Sequence, residues 1–209
     1  MIKTHALTVY YGRHRGIDNL DMAVEQGEVY GFLGPNGAGK TTTIRILAGI
    51  VRPTSGSIRI GGLDLAADAL AARSRMAYLP DTPYLYEKLT AAEFIHFVAG
   101  LYRVPPERAQ RRIDELLPLF GLTDRADDLI EGFSHGMRQK TRLAAALVHD
   151  PDVMLMDISM PDQSGIDALA AIKARVPELP VLILSGFAEE HYATTVLRQG
   201  ASGYLNKDC

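Results

Sequence analysis

Apolar positions along the chain follow three rhythms in turn. Over the first 60 residues they come in short β-type runs. "ALTVYYG" and "GEVYGFL" have strand composition, and "SGSIRIGG" is a brief strand closed by glycines. One helix interrupts them inside "GAGKTTTIRILAGI", where Ile44, Leu47, Ala48 and Ile50 recur at helical spacing. "RMAYLP" reads as a further strand, stopped by Pro80. From Thr90 to His149 the pattern turns helical. "TAAEFIHFVAGLY" opens on a Thr cap with Glu93 in the capping-box position, and "PPERAQRRIDELLPLFGL" starts with proline and ends at a glycine.

Beyond Pro151 the rhythm changes again. "VMLMD", "PVLILS" and "SGYLNKD" are short apolar strands, separated by "IDALAAIKARVP" and "AEEHYATTVLRQG" as helices. Such alternation predicts parallel α/β units. No Pro/Gly/Ser-rich spacer marks the change near residue 150, so the two parts are expected to share one sheet. No internal repeat or low-complexity tract is present.

Composition narrows the class without naming it. The chain has 209 residues, 47% of them apolar and 22% charged, as in an ordinary globular protein. A net charge of -3 gives no electrostatic footprint for nucleic acid, and none is expected as a partner. The single cysteine, Cys209, allows no disulfide framework and fits a reducing cytoplasm. No apolar run approaches the roughly 18 residues of a membrane span, so any membrane role would come through a partner.

The strongest chemical signal is "GPNGAGKTT", Gly34 to Thr42, which fits G-x-x-x-x-G-K-[ST] between an apolar strand and an amphipathic helix. Glycines let backbone N–H groups turn inward around phosphate oxygens, and a helix N-terminus adds partial positive charge. Lys40 is expected to reach the β- and γ-phosphates of a nucleotide, and Thr41 to offer its hydroxyl to magnesium.

With that loop in place, residues 1 to about 157 resemble the ATP-binding subunit of ABC transporters, particularly the drug-export and ABC-2 branch. "TVYYG" resembles the aromatic loop that stacks on adenine, with Tyr11 as the ring. "GEVYGFLGPNGAGKTTTIRILAGIVRPTSGSIRIGG" follows the family nearly throughout. The resemblance implies a nucleotide site built from Gly34, Asn36, Gly37, Gly39, Lys40, Thr41 and Thr42. "AYLPDTPYLYEKLTAAEFIHFVAGLY" resembles the Q-loop and the start of the helical subdomain, with Asp81 at the usual Gln or Glu position. "FSHGMRQK" resembles the signature motif, with Ser134 and Gly136 where the family contacts the γ-phosphate across a dimer. ATP, Mg²⁺, a homodimer through the signature motif and a membrane-embedded transporter subunit are what this resemblance implies. Thr41, Asp157 and Asp81 are its metal-binding positions.

The family continues its "VMLMD" strand with Glu and Pro. Here Asp157 is followed by Ile158, which cannot act as a base. Its γ-phosphate-sensing histidine would fall at about Gly186, and His191 lies several residues later. From Pro151 onward the chain instead resembles the C-terminal half of a response-regulator receiver domain, of the kind usually linked to a helix-turn-helix. "DVMLMDISMPDQSGIDAL" resembles the phosphoacceptor strand and loop, with Asp157 as acceptor. "PVLILSG" supplies Ser185 for the phosphoryl-binding hydroxyl, and "GASGYLNKD" supplies Tyr204 and Lys207. The receiver's magnesium-binding acidic pair has no counterpart, since Asp127-Asp128 reads as a solvated surface.

The expected fold is therefore α/β. A P-loop parallel sheet core, with an N-terminal antiparallel β subdomain and a helical subdomain at about 82–150, is completed by a flavodoxin-like β-α-β-α-β half over 151–209. Three functions stay open: a cytoplasmic Mg-ATP-binding protein with impaired hydrolysis, a phospho-acceptor of two-component signalling, and a scaffold without activity. Strand order at the join decides how the halves combine. A receiver follows 2-1-3-4-5, whereas the ABC arrangement inserts the "VLILS" strand between the "VMLMD" and phosphate-loop strands. Imperfect packing is expected there.

Overall fold

The computed structural model describes residues 1–25, 29–33, 39–80, 84–158, 170, 172–174, 176–185 and 201–205. Contacts divide the chain into two compact units, Met1–Asp81 with Asp152–Cys209, and Thr82–Pro151. The first unit contains strands β1 (Ile2–Tyr11), β2 (His14–Val24) and β3 (Val29–Leu33), then helix α1 (Lys40–Leu47). It continues with β4 (Ser55–Ile60), β5 (Leu63–Asp64), α2 (Ala69–Ser74) and β6 (Met76–Leu79). Three later strands complete it: β7 (Val153–Ile158), β8 (Val181–Ser185) and β9 (Ala201–Leu205).

An antiparallel sheet of order β2-β1-β4-β5 forms first in the chain. Along β1 the buried positions are Ile2 and Thr4, then Leu7 and Val9, so the alternation changes phase in mid-strand. The phase change sits at Ala6 (φ 48°), where the β1–β2 register shifts between Thr4 and Leu7. An extra residue in one strand is what moves a period-two pattern onto the other face. Gly56 (φ 90°) lies against this bulge, and a Cβ there would come within 2.5 Å of the Ala6 carbonyl oxygen. The bulge keeps Leu7 and Val9 in the same buried cluster as Ile2, Ile58 and Ile60.

The second sheet is parallel, in the order β6-β7-β8-β3-β9. Strand β8 thus lies between β7 and the phosphate-loop strand β3, and β3 in turn separates β8 from β9. This is the ABC arrangement. In the 2-1-3-4-5 order the strands corresponding to β8 and β9 would be neighbours. The join itself is regular: β7 and β8 pair from Met154↔Val181 to Ile158↔Ser185 without a shift, as do β8 and β3. Irregularity falls instead on β3–β9, with a register shift between Val29 and Tyr30.

Val153, Met154, Leu155 and Met156 are all at most 1% exposed, so β7 is buried on both faces, as a central parallel strand should be. Val153, Leu155 and Leu182 share a cluster with Ile44 and Leu47 of α1. Between β7 and β8, Ala174 N–H bonds Ala170 and Val176 N–H bonds Ile172, helical spacing where "IDALAAIKARVP" predicts a helix. Gly186 and the segment "AEEHYATTVLRQG", which contains His191, lie outside the described residues.

The second unit is helical: α3 (Ala91–Leu101), α4 (Pro106–Leu119) and α5 (His135–Leu147). Phe94, Ile95, Ile113, Leu116, Phe120 and Leu143 are among its buried side chains. The predicted capping box is present. Glu93 N–H donates to Thr90 Oγ1 at 3.2 Å, and Thr90 N–H donates to Glu93 Oε2 at 2.9 Å. Thr90→Ala removes one of these bonds and should cost about 1 kcal/mol. A thermal melt should then shift down by roughly 2–4 °C. Asp127 and Asp128 are exposed, Asp128 paired with Arg125 at 2.6 Å.

Candidate functional site: the head of helix α1

The head of α1 is shaped by close backbone packing. Its N-cap is Gly39, in the left-handed region at φ 81°. A Cβ at that position would lie 2.4 Å from the Gly16 carbonyl oxygen and 3.3 Å from Ile17 Cγ1. Only glycine satisfies both the dihedral and the space. Gly16 in turn lies under the Tyr11 ring, since its own Cβ would be 3.1 Å from Tyr11 Cε2. Tyr11 is half-exposed at the end of β1. The chain Tyr11–Gly16–Gly39 therefore sets an aromatic face beside the head of α1. Gly16 and Ile17 were not predicted as site residues. Their signal was a glycine inside an extended stretch, which often marks close approach of another backbone.

Lys40 is the first residue of α1 and only 8% exposed, so its stem is packed where the loop enters the helix. The next three residues are threonines with different surroundings. Thr43 is buried and its hydroxyl donates to the Gly39 carbonyl at 3.0 Å, while Thr41 is exposed and Thr42 intermediate. Thr41 thus presents an exposed side chain on the first turn of α1. Gly34, Asn36 and Gly37 lie outside the described residues. Gly39→Ala should lower stability by roughly 2–4 kcal/mol, from left-handed strain plus the Gly16 clash. Chemical denaturation of the variant measures it.

At the carboxyl edge of the parallel sheet the backbone aligns three strand ends. Asp157 pairs with Leu184, Ile158 with Ser185, and Ser185 with Leu33, the last strand residue before the phosphate loop. Asp157 and Ser185 thus sit on adjacent strands. Tyr204 pairs with Gly31 on the far side of β3, so the strand leading to Lys207 is two positions from Ser185 rather than one. Adjacent strands lie about 4.8 Å apart, so this insertion adds about 5 Å across the sheet. Asp81 and Lys207 themselves lie outside the described residues. Among the described residues no group of three His, Cys, Asp or Glu side chains could hold a metal unaided. A magnesium ion carried by phosphates needs only a hydroxyl and a carboxylate from the protein.

The signature segment belongs to the helical unit. Ser134 caps α5, its Oγ accepting from Met137 N–H at 3.3 Å. Arg138 fixes the preceding turn by donating to the Phe133 carbonyl at 3.1 Å, to the Glu131 carbonyl at 3.0 Å, and to Glu87. Further along α5, burial and the nearby Arg138 charge push the Arg142 guanidinium below its usual range. Ser134 and Gly136 are both exposed, and a Cβ on Gly136 would meet nothing within 4 Å. The fold of this unit does not itself require glycine at 136. Exposed aromatics mark another surface here: Tyr84 is 95% exposed, Tyr86 and Phe97 meet edge-on at 5.2 Å, and Leu101 is largely exposed.

A glycine-capped helix following a parallel strand, in a unit that also carries an antiparallel sheet, defines the P-loop α/β class. The ABC transporter family profile matches residues 17–158, more than half the chain, and the chain belongs to that family. A response regulator receiver domain profile matches residues 130–209. Curated relatives include the bacitracin transport ATP-binding protein BcrA of Bacillus licheniformis, 40% identical over 75% of this chain and 50% of that protein. The linearmycin resistance ATP-binding protein LnrL of Bacillus subtilis is 34% identical over 91% of this chain and 62% of its own length. The chain thus spans about half to three fifths of these relatives. A solved ATP binding subunit of an ABC transporter superposes with a TM-score of 0.75 at 30% identity, covering 90% of this chain and 79% of that one. The structure of cbiO1 from Clostridium perfringens shares the fold at TM-score 0.77 and 21% identity, over 89% and 78% of the two chains. No described helix is long and apolar enough to cross a membrane.

Proposed function

We propose that the chain is a Mg-ATP-binding ABC-type subunit that hydrolyses ATP poorly, with a receiver-derived C-terminal half completing its sheet. The observation that carries this is the head of α1. Gly39 frees the backbone to turn, Lys40 stands at the first helical position, Thr41 is exposed, and Tyr11 offers a ring nearby. In this reading Tyr11 stacks on adenine, and Lys40 with the α1 N-terminus neutralises phosphate charge. Thr41, Asp157 and Asp81 hold the magnesium, which supplies further charge neutralisation. Impaired turnover follows from Ile158, which cannot take a proton from water, and from the absence of a histidine at about residue 186. Differential scanning fluorimetry with and without Mg-ATP tests the binding; an unchanged melt at saturating nucleotide sinks it.

Partners follow from two surfaces. Ser134 and Gly136 would meet the γ-phosphate of a second copy, which gives Gly136 a reason its own unit does not. The exposed Tyr84, Tyr86, Phe97 and Leu101 fit an apolar contact with a membrane-embedded transporter subunit, since aromatic patches of this kind mark interaction sites. The relatives named for bacitracin and linearmycin suggest export of an antibiotic-like compound, and the place of work would be the cytoplasmic face of a membrane.

The receiver match raises a second reading, phosphorylation of Asp157. Against it stands the sheet order, in which β3 parts the Ser185 strand from the strand leading to Lys207. Incubation with acetyl phosphate and Mg²⁺ should therefore give no 80-Da-class adduct in the intact mass of the wild type. An adduct that disappears in Asp157→Asn would restore the signalling reading.

A further inference from the structure

The opposite end of α1 carries a pocket of about 430 Å³ between the α1 terminus, β4 and α2. Val51, Ile58 and Leu65 give it an apolar floor, and Arg52 and Arg73 stand on its lining. The Arg73 guanidinium lies over Gly49, where a Cβ would be 2.8 Å from its Nε. Neither arginine makes an ion pair among the described residues, whereas Arg75, two positions on, is bound to Asp152 at 2.9 Å. Among the described residues no carboxylate lines the pocket. Asp64 and Asp68, the acidic residues nearest in sequence, turn Oδ1 to the backbone N–H groups of Ala66, Ala67 and Ala71. At the α1 terminus the Ile46 and Arg45 carbonyls are taken by the N–H groups of Gly49, Ile50 and Val51, so the two arginines have only the remaining partial negative charge of the helix end to outweigh.

We propose that this pocket binds a small organic anion with an apolar body, of the phosphate-monoester class. Two guanidinium forks match the oxygens of one phosphate, and arginine is the side chain suited to that geometry. The volume lies in the range of small-molecule sites, and the mixture of apolar floor and few polar groups is their usual lining. Thr54 adds a hydroxyl whose oxygen already accepts from Tyr10 N–H at 3.0 Å, leaving its proton to donate outward. The pocket is remote along α1 from Lys40, so occupancy is independent of the nucleotide site proposed above.

Phenyl phosphate is the probe, titrated by amide NMR into the Lys40→Ala chain so that the phosphate loop does not compete. Saturable shifts at Gly49, Thr54 and Gly56 are expected. Affinity should fall at least 10-fold in Arg52→Gln/Arg73→Gln, and likewise in Ala69→Glu, which adds an anion to the rim while keeping both arginines. Mg-ATP binding by chains carrying these substitutions and native Lys40 should stay unchanged. Equal affinity in all three, or shifts that grow linearly without saturation, overturns the proposal. Vesicles containing phosphatidic acid form the second arm: sedimentation with them, lost in the double variant and without any response to phenyl phosphate, would replace the soluble ester by a lipid headgroup.

Discussion

Lys40→Ala is expected to abolish the stabilisation that Mg-ATP gives the chain. A ligand at 100 times its Kd that binds only the native state contributes about 2.7 kcal/mol. For a protein of this size that is roughly 5–10 °C in Tm. Lys40 enters the site as a cation at the first position of α1, 8% exposed, its stem already held by packing. Little side-chain entropy is left to lose when phosphate arrives, so a large share of the affinity rests on it. Alanine at 40 is a good helix residue, and the apo melt should move by only a few degrees. The measurement is the difference between melts with and without nucleotide in each protein. A full-sized shift in Lys40→Ala would remove the phosphate loop from the reading.

How much of this could be read in the sequence varies with the range of the interaction. The α1 helix, its lysine and its threonines were legible because motif and periodicity are local. So was the Thr90–Glu93 box, four consecutive residues that close on themselves. Strand β2 was less legible: "HRGIDNLDMAV" is half polar, and it is held by pairing with β1 rather than by its own composition. The bulge at Ala6 was hidden for a similar reason, since its partner Gly56 lies 50 residues away.

Strand order was the least legible feature. "VMLMD" and "VLILS" are apolar runs that suit either parent family, and nothing within them says which strand lies alongside. The choice is made by β3, which accepts β8 on one side and β9 on the other. Two strands of receiver character are thereby parted by the strand that leads into the phosphate loop. A site needing Asp157, Ser185 and Lys207 on three successive strands loses its geometry. A site needing the ends of β3 and β7 separated by one strand keeps it. The same rearrangement therefore weakens one reading of Asp157 and supports the other.

That division makes Ile158 the most informative residue to change. Ile158→Glu is expected to raise ATP hydrolysis by about 10²-fold, because a positioned general base contributes typically 10²–10⁴-fold. Position 158 ends β7, and its backbone is already fixed against Ser185. A glutamate there follows Asp157 directly, as the family resemblance requires. The lower end of the range is expected because Gly186 is unchanged, and Ile158→Glu/Gly186→His should add to the gain. Phosphate release in the presence of Mg²⁺ reads the rate, and Lys40→Ala in the same background should cancel it. Ile158→Gln separates basicity from polarity: it has the same shape as glutamate but takes no proton, so its rate should stay at the wild-type level. If Ile158→Glu binds ATP yet turns over no faster, the missing base is not what holds hydrolysis back, and assembly through Ser134 and Gly136 becomes the step to test.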